Sequence, residues 1–416
     1  MTLGKDTTGT VDVLRALTPR GWTLVAVGAA VGVGALLLAE RDLLRVAVLV
    51  VSLPLVSLVL LAVSAPRRVT HTRTLSAARL PVGTECQATV TLSYSDNRWP
   101  LPAGPVLVED RLPPALGASP RFTLGLLRPG EQRTLSYLLA AQVRGRHSIG
   151  PLVVGVTDPL GCARLTRTLD PQTPLLVFPR TVDLPAVPLP GTALVDGQRP
   201  RPVPTGPEAG TMPRPYRPGD DVRRVHWRST ARRGHLMVRG EEQPYRDRST
   251  LLVDLRAAAH TVLPAASSLE ETVALAASIA VHLVDRGHQL RLLGVAAAAA
   301  SPAHRDAVLD LFALAQPVPE PSLLAEITRL SRSPAEGRGV LVAVVGALTS
   351  DEVAALAACA ADRTRPRIAV LAPQAAWTDQ ERDRAAGRLA DAGWRVLCPH
   401  RLDDLPDLWR SSGEAR

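Results

Sequence analysis

Three patterns along the 416 residues predict a mixed architecture: an N-terminal helical hairpin of membrane-spanning length, an all-β sandwich, and a terminal α/β domain with a doubly wound parallel sheet. The first pattern is a pair of uninterrupted apolar runs. The second is a series of short β-like segments, spaced at about 8–12 residues and punctuated by Pro and Gly. The third is a regular alternation of continuous apolar strands with amphipathic helices, the signature of a parallel sheet covered on both faces.

The apolar runs are Gly21 to Ala39 and Leu43 to Ala65. Each approaches the ~20 residues an α-helix needs to cross a bilayer core. Only Glu40, Arg41 and Asp42 stand between them, so the two form a tight hairpin. Pro54 is tolerable within a span because a membrane helix re-satisfies the freed carbonyl locally. A signal peptide would be followed by ordinary soluble sequence, whereas here a second full-length apolar run follows at once. Lys5, Arg15 and Arg20 precede the first run, and Arg67, Arg68, Arg73 and Arg79 follow the second. The positive-inside rule then puts the N-terminal segment, residues 1–20, and the bulk of the chain on the cytoplasmic side of the cell membrane.

Composition fits a cytoplasmic bulk. Cys86, Cys162, Cys359 and Cys398 are scattered and share no metal-ligand spacing, so neither a disulfide framework nor a zinc site is expected. The net charge of +9 is almost all arginine, with Lys5 the sole lysine. That bias accompanies abundant Ala and Pro and is not read as a nucleic-acid footprint.

Residues 66–180 supply the β-like segments, with turn chemistry at Arg128-Pro129-Gly130 and Asp158-Pro159-Leu160-Gly161. From Thr181 the chain carries nine prolines up to Pro215, a composition for extended chain, and 181–213 is read as a linker. Residues 214–248 form an arginine-rich stretch. From Ser249 to the end, strands at 249–255, 288–295, 339–345, 367–371 and 394–398 alternate with helices at 267–286, 302–315, 322–331, 350–363, 378–392 and 403–409. Open sheets of this kind present a crevice at the carboxyl ends of their strands.

Chemistry is sparse. No Gly-rich phosphate loop, GxSxG elbow, HExxH or plausible Cys/His pair occurs, so no catalytic residue and no cofactor are expected. The distinctive segment is Arg214-x-Tyr216-x-x-Gly219-Asp220-x-x-Arg223-x-x-His226-Trp227-x-x-Thr230-Ala231-Arg232. Its residues leave several readings open. It is a structural clasp of ion pairs in which Trp227 pins the loop to a domain surface, or a docking surface for an acidic partner. Its arginines also suit anionic lipid headgroups. Nucleic acid is not expected, since aromatics for base stacking are few and no binding fold is legible.

This segment resembles the signature of domain-of-unknown-function family fifty-eight (DUF58), and Arg144-Gly145-Arg146-His147 and Asp158-Pro159-Leu160-Gly161 precede it in the order that family shows. His226 stands where the family's commonest pattern has Asp. The resemblance implies a terminal von Willebrand A-like, Rossmann-type domain and a non-enzymatic adaptor or scaffold in protein assembly or cell-envelope processes. It also implies partnership with a MoxR-type AAA+ ATPase and an association with transglutaminase-like membrane proteins. Metal-binding domains of the von Willebrand A kind place Asp-x-Ser-x-Ser after the first strand to hold Mg²⁺. Here the positions are Asp254, Arg256 and Ala258, a degenerate set with a fixed positive charge, so no metal is expected. The rival readings are a hydrolase using the sheet crevice and a metal-dependent ligand-binding module.

Overall fold

The computed structural model describes residues 16–64, 68–95, 106–125, 131–187, 211–216, 225, 227–241, 248–261, 267–295, 300–332, 339–359, 365–373 and 375–414. The chain divides into two compact units, 1–178 and 179–416.

The first unit opens with α1 (Pro19–Leu38) and α2 (Arg41–Ser64), both long and apolar enough to cross a membrane. Thr18 caps α1 by accepting the Gly21 N–H. The turn between the helices is shorter than the sequence suggests: Arg41 and Asp42 enter the first turn of α2, where Asp42 suits the helix dipole. Only Ala39, at φ 54°, and Glu40 are left to reverse the chain. The helices approach closely because Gly28 lies against Val51, where a Cβ would sit 2.6 Å from the Val51 Cγ2. Small residues allow such approach between apolar helices. The outward faces, including Leu36, Leu37, Val48 and Val59, are bare.

Among the described residues ten strands follow: β1 (Arg68–Leu75), β2 (Arg79–Pro81), β3 (Glu85–Ser95), β4 (Val106–Asp110), β5 (Arg121–Leu124), β6 (Gln132–Ala140), β7 (Gly145–Ile149), β8 (Leu152–Thr157), β9 (Arg164–Leu169) and β10 (Thr173–Phe178). They make three sheets in the orders β1-β3-β6, β2-β10-β7 and β5-β4-β8-β9. Strand β3 alternates: Cys86, Ala88, Val90 and Leu92 are buried, while Thr89, Thr91 and Ser93 face away. Its apolar face serves both other sheets. Val90 and Leu92 pack with Val106, Val108, Leu152 and Val154, and Cys86 and Ala88 with Ile149, Leu175 and Val177. Between these clusters lies a buried ion pair, Arg73 Nη2 to Asp110 Oδ1 at 2.7 Å, each side chain 1% exposed. The Tyr137 hydroxyl donates to Asp110 Oδ2, and burial with that bond pushes the phenol well above its ordinary value.

The helical hairpin is seated on this β unit. The Thr18 N–H and hydroxyl donate to the Cys162 and Gly161 carbonyls at 2.9 and 2.7 Å, and Leu61 joins the core of β3, β4 and β8. The Asp158-Pro159-Leu160-Gly161 turn makes this possible. Asp158 accepts the Leu160 and Ala163 N–H groups, which aims the carbonyls of Gly161 and Cys162 at the start of α1.

In the second unit, β11 (Thr211–Pro215) pairs antiparallel with β12 (Met237–Glu241), and α3 (Trp227–Arg233) lies between them in sequence. The expected linker therefore ends in a strand. Proline is admissible there because a strand with one neighbour leaves a row of donors unused. Residues 188–210 of that linker fall outside the described residues. The main sheet comprises β13 (Arg248–Val253), β14 (Gln289–Leu293), β15 (Leu341–Val345), β16 (Arg367–Leu371) and β17 (Arg395–Leu397). All are parallel, in the order β14-β13-β15-β16-β17. Helices α4 (Ser268–Asp285), α5 (Arg305–Leu314), α6 (Leu324–Ser331), α7 (Ser350–Ala358), α8 (Asp379–Asp391) and α9 (Leu405–Glu414) connect and flank the strands. Leu251 to Val253, Val342 to Val345 and Ile368 to Leu371 are fully buried, as continuous apolar strands in a two-faced sheet must be.

Candidate functional site

In this strand order the chain leaves β13 toward one edge, to β14, and later returns on the other side, as β15. The loops after β13 and β15 thus diverge, and a crevice opens at the carboxyl edge between them. Asp254 and Arg256 follow β13, and Gly346 to Thr349 follow β15.

The crevice floor is an ion-pair triad. Arg256 donates from Nε to Asp254 Oδ1 at 2.9 Å and from Nη2 to Asp254 Oδ2 at 2.8 Å, a bidentate fork. Its Nη1 donates to Glu352 Oε1 at 2.8 Å. The two remaining N–H groups meet the Pro321 and Ala347 carbonyls at 3.3 and 3.0 Å. A guanidinium has five donors, and all five are engaged. Burial works against the charge on Arg256, but the bonds to Asp254 and then Glu352 outweigh it and raise its pKa above the ordinary value. Glu352 also suffers burial, yet the Leu323 and Thr349 N–H groups and Arg256 hold its pKa below 4.5.

Local sequence explains how each member is placed. Glu352 is the third residue of α7, and Thr349 with Glu352 forms a capping box, so helix initiation itself fixes the carboxylate. The same carboxylate accepts the Leu323 N–H at 2.7 Å and holds the start of α6. Gly346 must be glycine, because a Cβ there would sit 2.6 Å from the Ala259 carbonyl and 2.8 Å from the His260 Cε1. Its N–H points to Asp254 Oδ2.

His260 and Ser268 lie behind the triad. The His260 Nε2 is 2.8 Å from the Asp254 carbonyl, which only accepts, so Nε2 carries the proton and Nδ1 accepts from the Ser268 hydroxyl at 3.2 Å. This is not a nucleophile and base. Both residues are buried, Ser268 also accepts the Thr261 N–H, and burial lowers the His260 pKa.

Outside the triad a cleft of about 540 Å³ lies along α7 and α8, with Arg256, Leu348, Thr349, Trp377, Arg384 and Arg388 on its walls. Among the described residues no three His, Cys, Asp or Glu side chains converge to hold a metal ion. The residues around Asp254 do not fit one either: the Arg256 guanidinium occupies both of its oxygens, and Ala258 is an exposed residue of the cleft with no ligand atom in its side chain. The sequence had singled out Asp254, Arg256 and Ala258. It did not find Glu352, His260 or the pair Arg384 and Arg388. The Thr349-x-x-Glu352 spacing was the available signal for the first.

The arginine-rich signature lies elsewhere in the unit. Arg214 is in β11 opposite Val238, and the Tyr216 N–H donates to the Leu236 carbonyl at 2.9 Å. Thr230 accepts the N–H of the buried Met237 at 3.0 Å, while Ala231 and Arg232 are exposed. Gly219, Asp220, Arg223 and His226 lie outside the described residues. Trp227, expected to pin the loop to a domain surface, is 71% exposed. It opens α3, a helix of seven residues whose tie to β12 is made by Thr230, a turn later.

These features define the class: two apolar helices of spanning length, a β-rich region, and an α/β unit with a five-stranded parallel sheet. Residues 212–376, from the signature through the fourth strand of the main sheet, match the family described as "Protein of unknown function DUF58". No curated protein matches the chain significantly. Among solved structures, an alkylpurine DNA glycosylase from Pseudomonas fluorescens bound to abasic-site DNA is 16% identical over 33% of this chain and 39% of its own, with a TM-score of 0.18. The CARDB domain of a Pyrococcus furiosus protein is 13% identical over 26% of this chain and 87% of its own, with a TM-score of 0.19. A sporulation control protein from Bacillus subtilis is 12% identical over 26% and 49%, with a TM-score of 0.15. Scores this low carry no argument about fold or function.

Proposed function

We propose that this chain is a membrane-tethered, non-enzymatic adaptor whose α/β unit, of von Willebrand A type, recognises a partner at the carboxyl edge of its sheet. The partner proposed is a MoxR-type AAA+ ATPase, which supplies the nucleotide chemistry for which this sequence has no phosphate loop. Helices α1 and α2 provide the tether, with the N-terminus and the bulk of the chain on the cytoplasmic side and with contact to lipid. A transglutaminase-like membrane protein is a second proposed associate. The observation that carries this reading is the closed triad. At the position where an open α/β sheet does its work, the charged groups are spent on one another, and Arg256 retains no free donor. Such a crevice offers shape and rim charge to a partner, not a poised acid, base or electrophile.

The hydrolase reading needs a nucleophile beside a base in the cleft; of the Ser–His contacts among the described residues of this unit, Ser268 with His260 is buried behind the triad and Ser249 with His288 lies at the opposite, amino end of the strands. The metal-dependent reading needs hard oxygen ligands with a free face, which Arg256 occupies.

The test is co-purification of the full-length chain, extracted in detergent, with its MoxR-type ATPase. The ATPase is expected to accompany the wild-type chain at a fixed ratio through size-exclusion chromatography. Elution of two separate peaks at micromolar concentrations of both proteins would sink the partnership.

A further inference from the structure

We propose that the cleft between α7 and α8 receives an acidic peptide segment, a carboxylate side chain held by Arg384 and Arg388 with an aliphatic neighbour against Leu348, Val353 and Trp377. This deepens the adaptor reading by naming the chemistry of the docking segment.

Charge placement around the cleft supports an anion. Arg256 also lines it but is neutralised by Asp254 and Glu352, so the cations left to the cleft are Arg384 and Arg388. Those carboxylates turn inward to the Gly346, Leu323 and Thr349 N–H groups. Arg384 and Arg388 stand four positions apart on α8, so their side chains emerge one above the other on one helix face. Both line the cleft, both are exposed, and neither forms an ion pair among the described residues. The neighbouring Arg382 shows the alternative, since it is shielded and paired with Asp379 and Asp383. Glu381 is the one acidic residue in the lining, and its carboxylate is spent on the Thr378 N–H and hydroxyl. Two forked guanidiniums without a direct ion pair among the described residues, Arg384 sensing Glu381 only through its field, stand beside an apolar wall and suit bidentate recognition of carboxylate.

The geometry favours a peptide over a free small anion. A small anion needs buried donors to hold it against water, and here the free donors sit on the exposed rim. A macromolecular ligand brings the surface that excludes water from that rim, which is where charged pairs gain their strength. The volume of about 540 Å³ falls in the range of roughly 300–1,000 Å³ that accommodates a few side chains.

The test uses the full-length chain in detergent. Trp377 fluorescence is read as the difference between wild type and Trp377→Phe. The chain is titrated with an acetylated, amidated peptide alternating Glu and Leu, and with its Gln-for-Glu counterpart. The Glu peptide is expected to bind about tenfold or more tightly than the Gln peptide, the scale of charge-assisted hydrogen bonds. The double variant Arg384→Gln/Arg388→Gln is expected to lose that preference. Equal binding of the two peptides, or a preference that survives the double variant, overturns the proposal. Inorganic phosphate that displaces the Glu peptide at equal concentration also overturns it, since the site would then be one for small anions. The co-purification above separates the two claims. If the double variant still carries the ATPase and peptide preference is absent, the cleft proposal fails and the adaptor stands. If the peptide is discriminated while the ATPase never associates, the cleft proposal is supported and the ATPase partnership falls.

Discussion

Arg256→Met is the most informative single substitution in the α/β unit. Methionine fills a similar volume but removes the guanidinium that pairs with both carboxylates in a niche where Asp254 is fully buried and Glu352 is 1% exposed. Breaking a buried ion pair on one side costs about 3–5 kcal/mol, because the partner charge is left uncompensated. Two facts pull the figure toward the lower end. Asp254 keeps the Arg256 and Gly346 N–H groups, and Glu352 keeps those of Leu323 and Thr349. One pulls it up, since a single guanidinium neutralises two carboxylates here. A cost of about 3 kcal/mol follows, and for a unit of this size it lowers Tm by roughly 6–12 °C. The assay is thermal unfolding of the full chain in detergent at pH 7 and fixed protein concentration, followed by intrinsic fluorescence. The triple variant Asp254→Asn/Arg256→Met/Glu352→Gln removes all the charges together and is expected to recover more than half of the loss. A single variant that melts within about 3 °C of wild type, or a triple variant no better than the single, would refute the reasoning that the triad is a mutually compensated clamp.

Other consequences are as specific. Acid is expected to destabilise the α/β unit in two windows. His282, held near 4 by burial, and His260, also lowered by burial, are neutral in the folded state. Their contribution is complete above the ordinary 6.5 and is lost as pH falls below it. Glu352, held below 4.5, contributes above that value and loses its contribution as pH falls through its folded pKa. Urea midpoints measured from pH 8 to pH 3 check both windows, and a stability that rises on acidification contradicts the burial of these groups. Thr349→Ala removes the capping acceptor of the Glu352 N–H and is expected to cost about 1 kcal/mol, read as a urea midpoint shift, whereas Thr349→Ser should be near neutral. Gly21→Ala forces a Cβ against the Cys162 carbonyl at the seat of α1. It is expected to expose the 158–163 turn to limited proteolysis, while Gly34→Ala, which meets nothing within 4 Å, should leave the digest unchanged.

The α/β unit was legible because its strands carry their burial in composition. The runs around Leu251, Val342 and Ile368 have no polar face to place, so they read as two-sided strands without any tertiary knowledge. Helix starts at Ser350 and Asp379 were legible for a local reason: Thr349 with Glu352 and Thr378 with Glu381 form capping boxes within four residues. What was not legible depends on separation in sequence. Asp254 and Glu352 are brought to one guanidinium across 98 positions, and Arg73 meets Asp110 across 37. Arg384 and Arg388 read as an ordinary solvated helix face, since only the fold turns that face toward a cleft. Trp227, 71% exposed in the structure, shows the converse. A lone aromatic among arginines looks like an anchor, but anchoring needs a facing surface, and the turn that docks α3 is Thr230. The extended chain expected of the proline-rich linker meets a strand at its end: residues 211–213 belong to Thr211–Pro215, a strand paired with one neighbour, where proline breaks no central ladder.

The proposal on which the rest turns is that Arg256 takes the place of a divalent cation beside Asp254 and leaves the carboxyl edge as a recognition surface. Isothermal titration of the full chain with Mg²⁺ and with Mn²⁺ tests it most directly. The account expects no saturable heat with either ion, and no change when Asp254→Asn is substituted. Saturable micromolar binding that Asp254→Asn abolishes would contradict it.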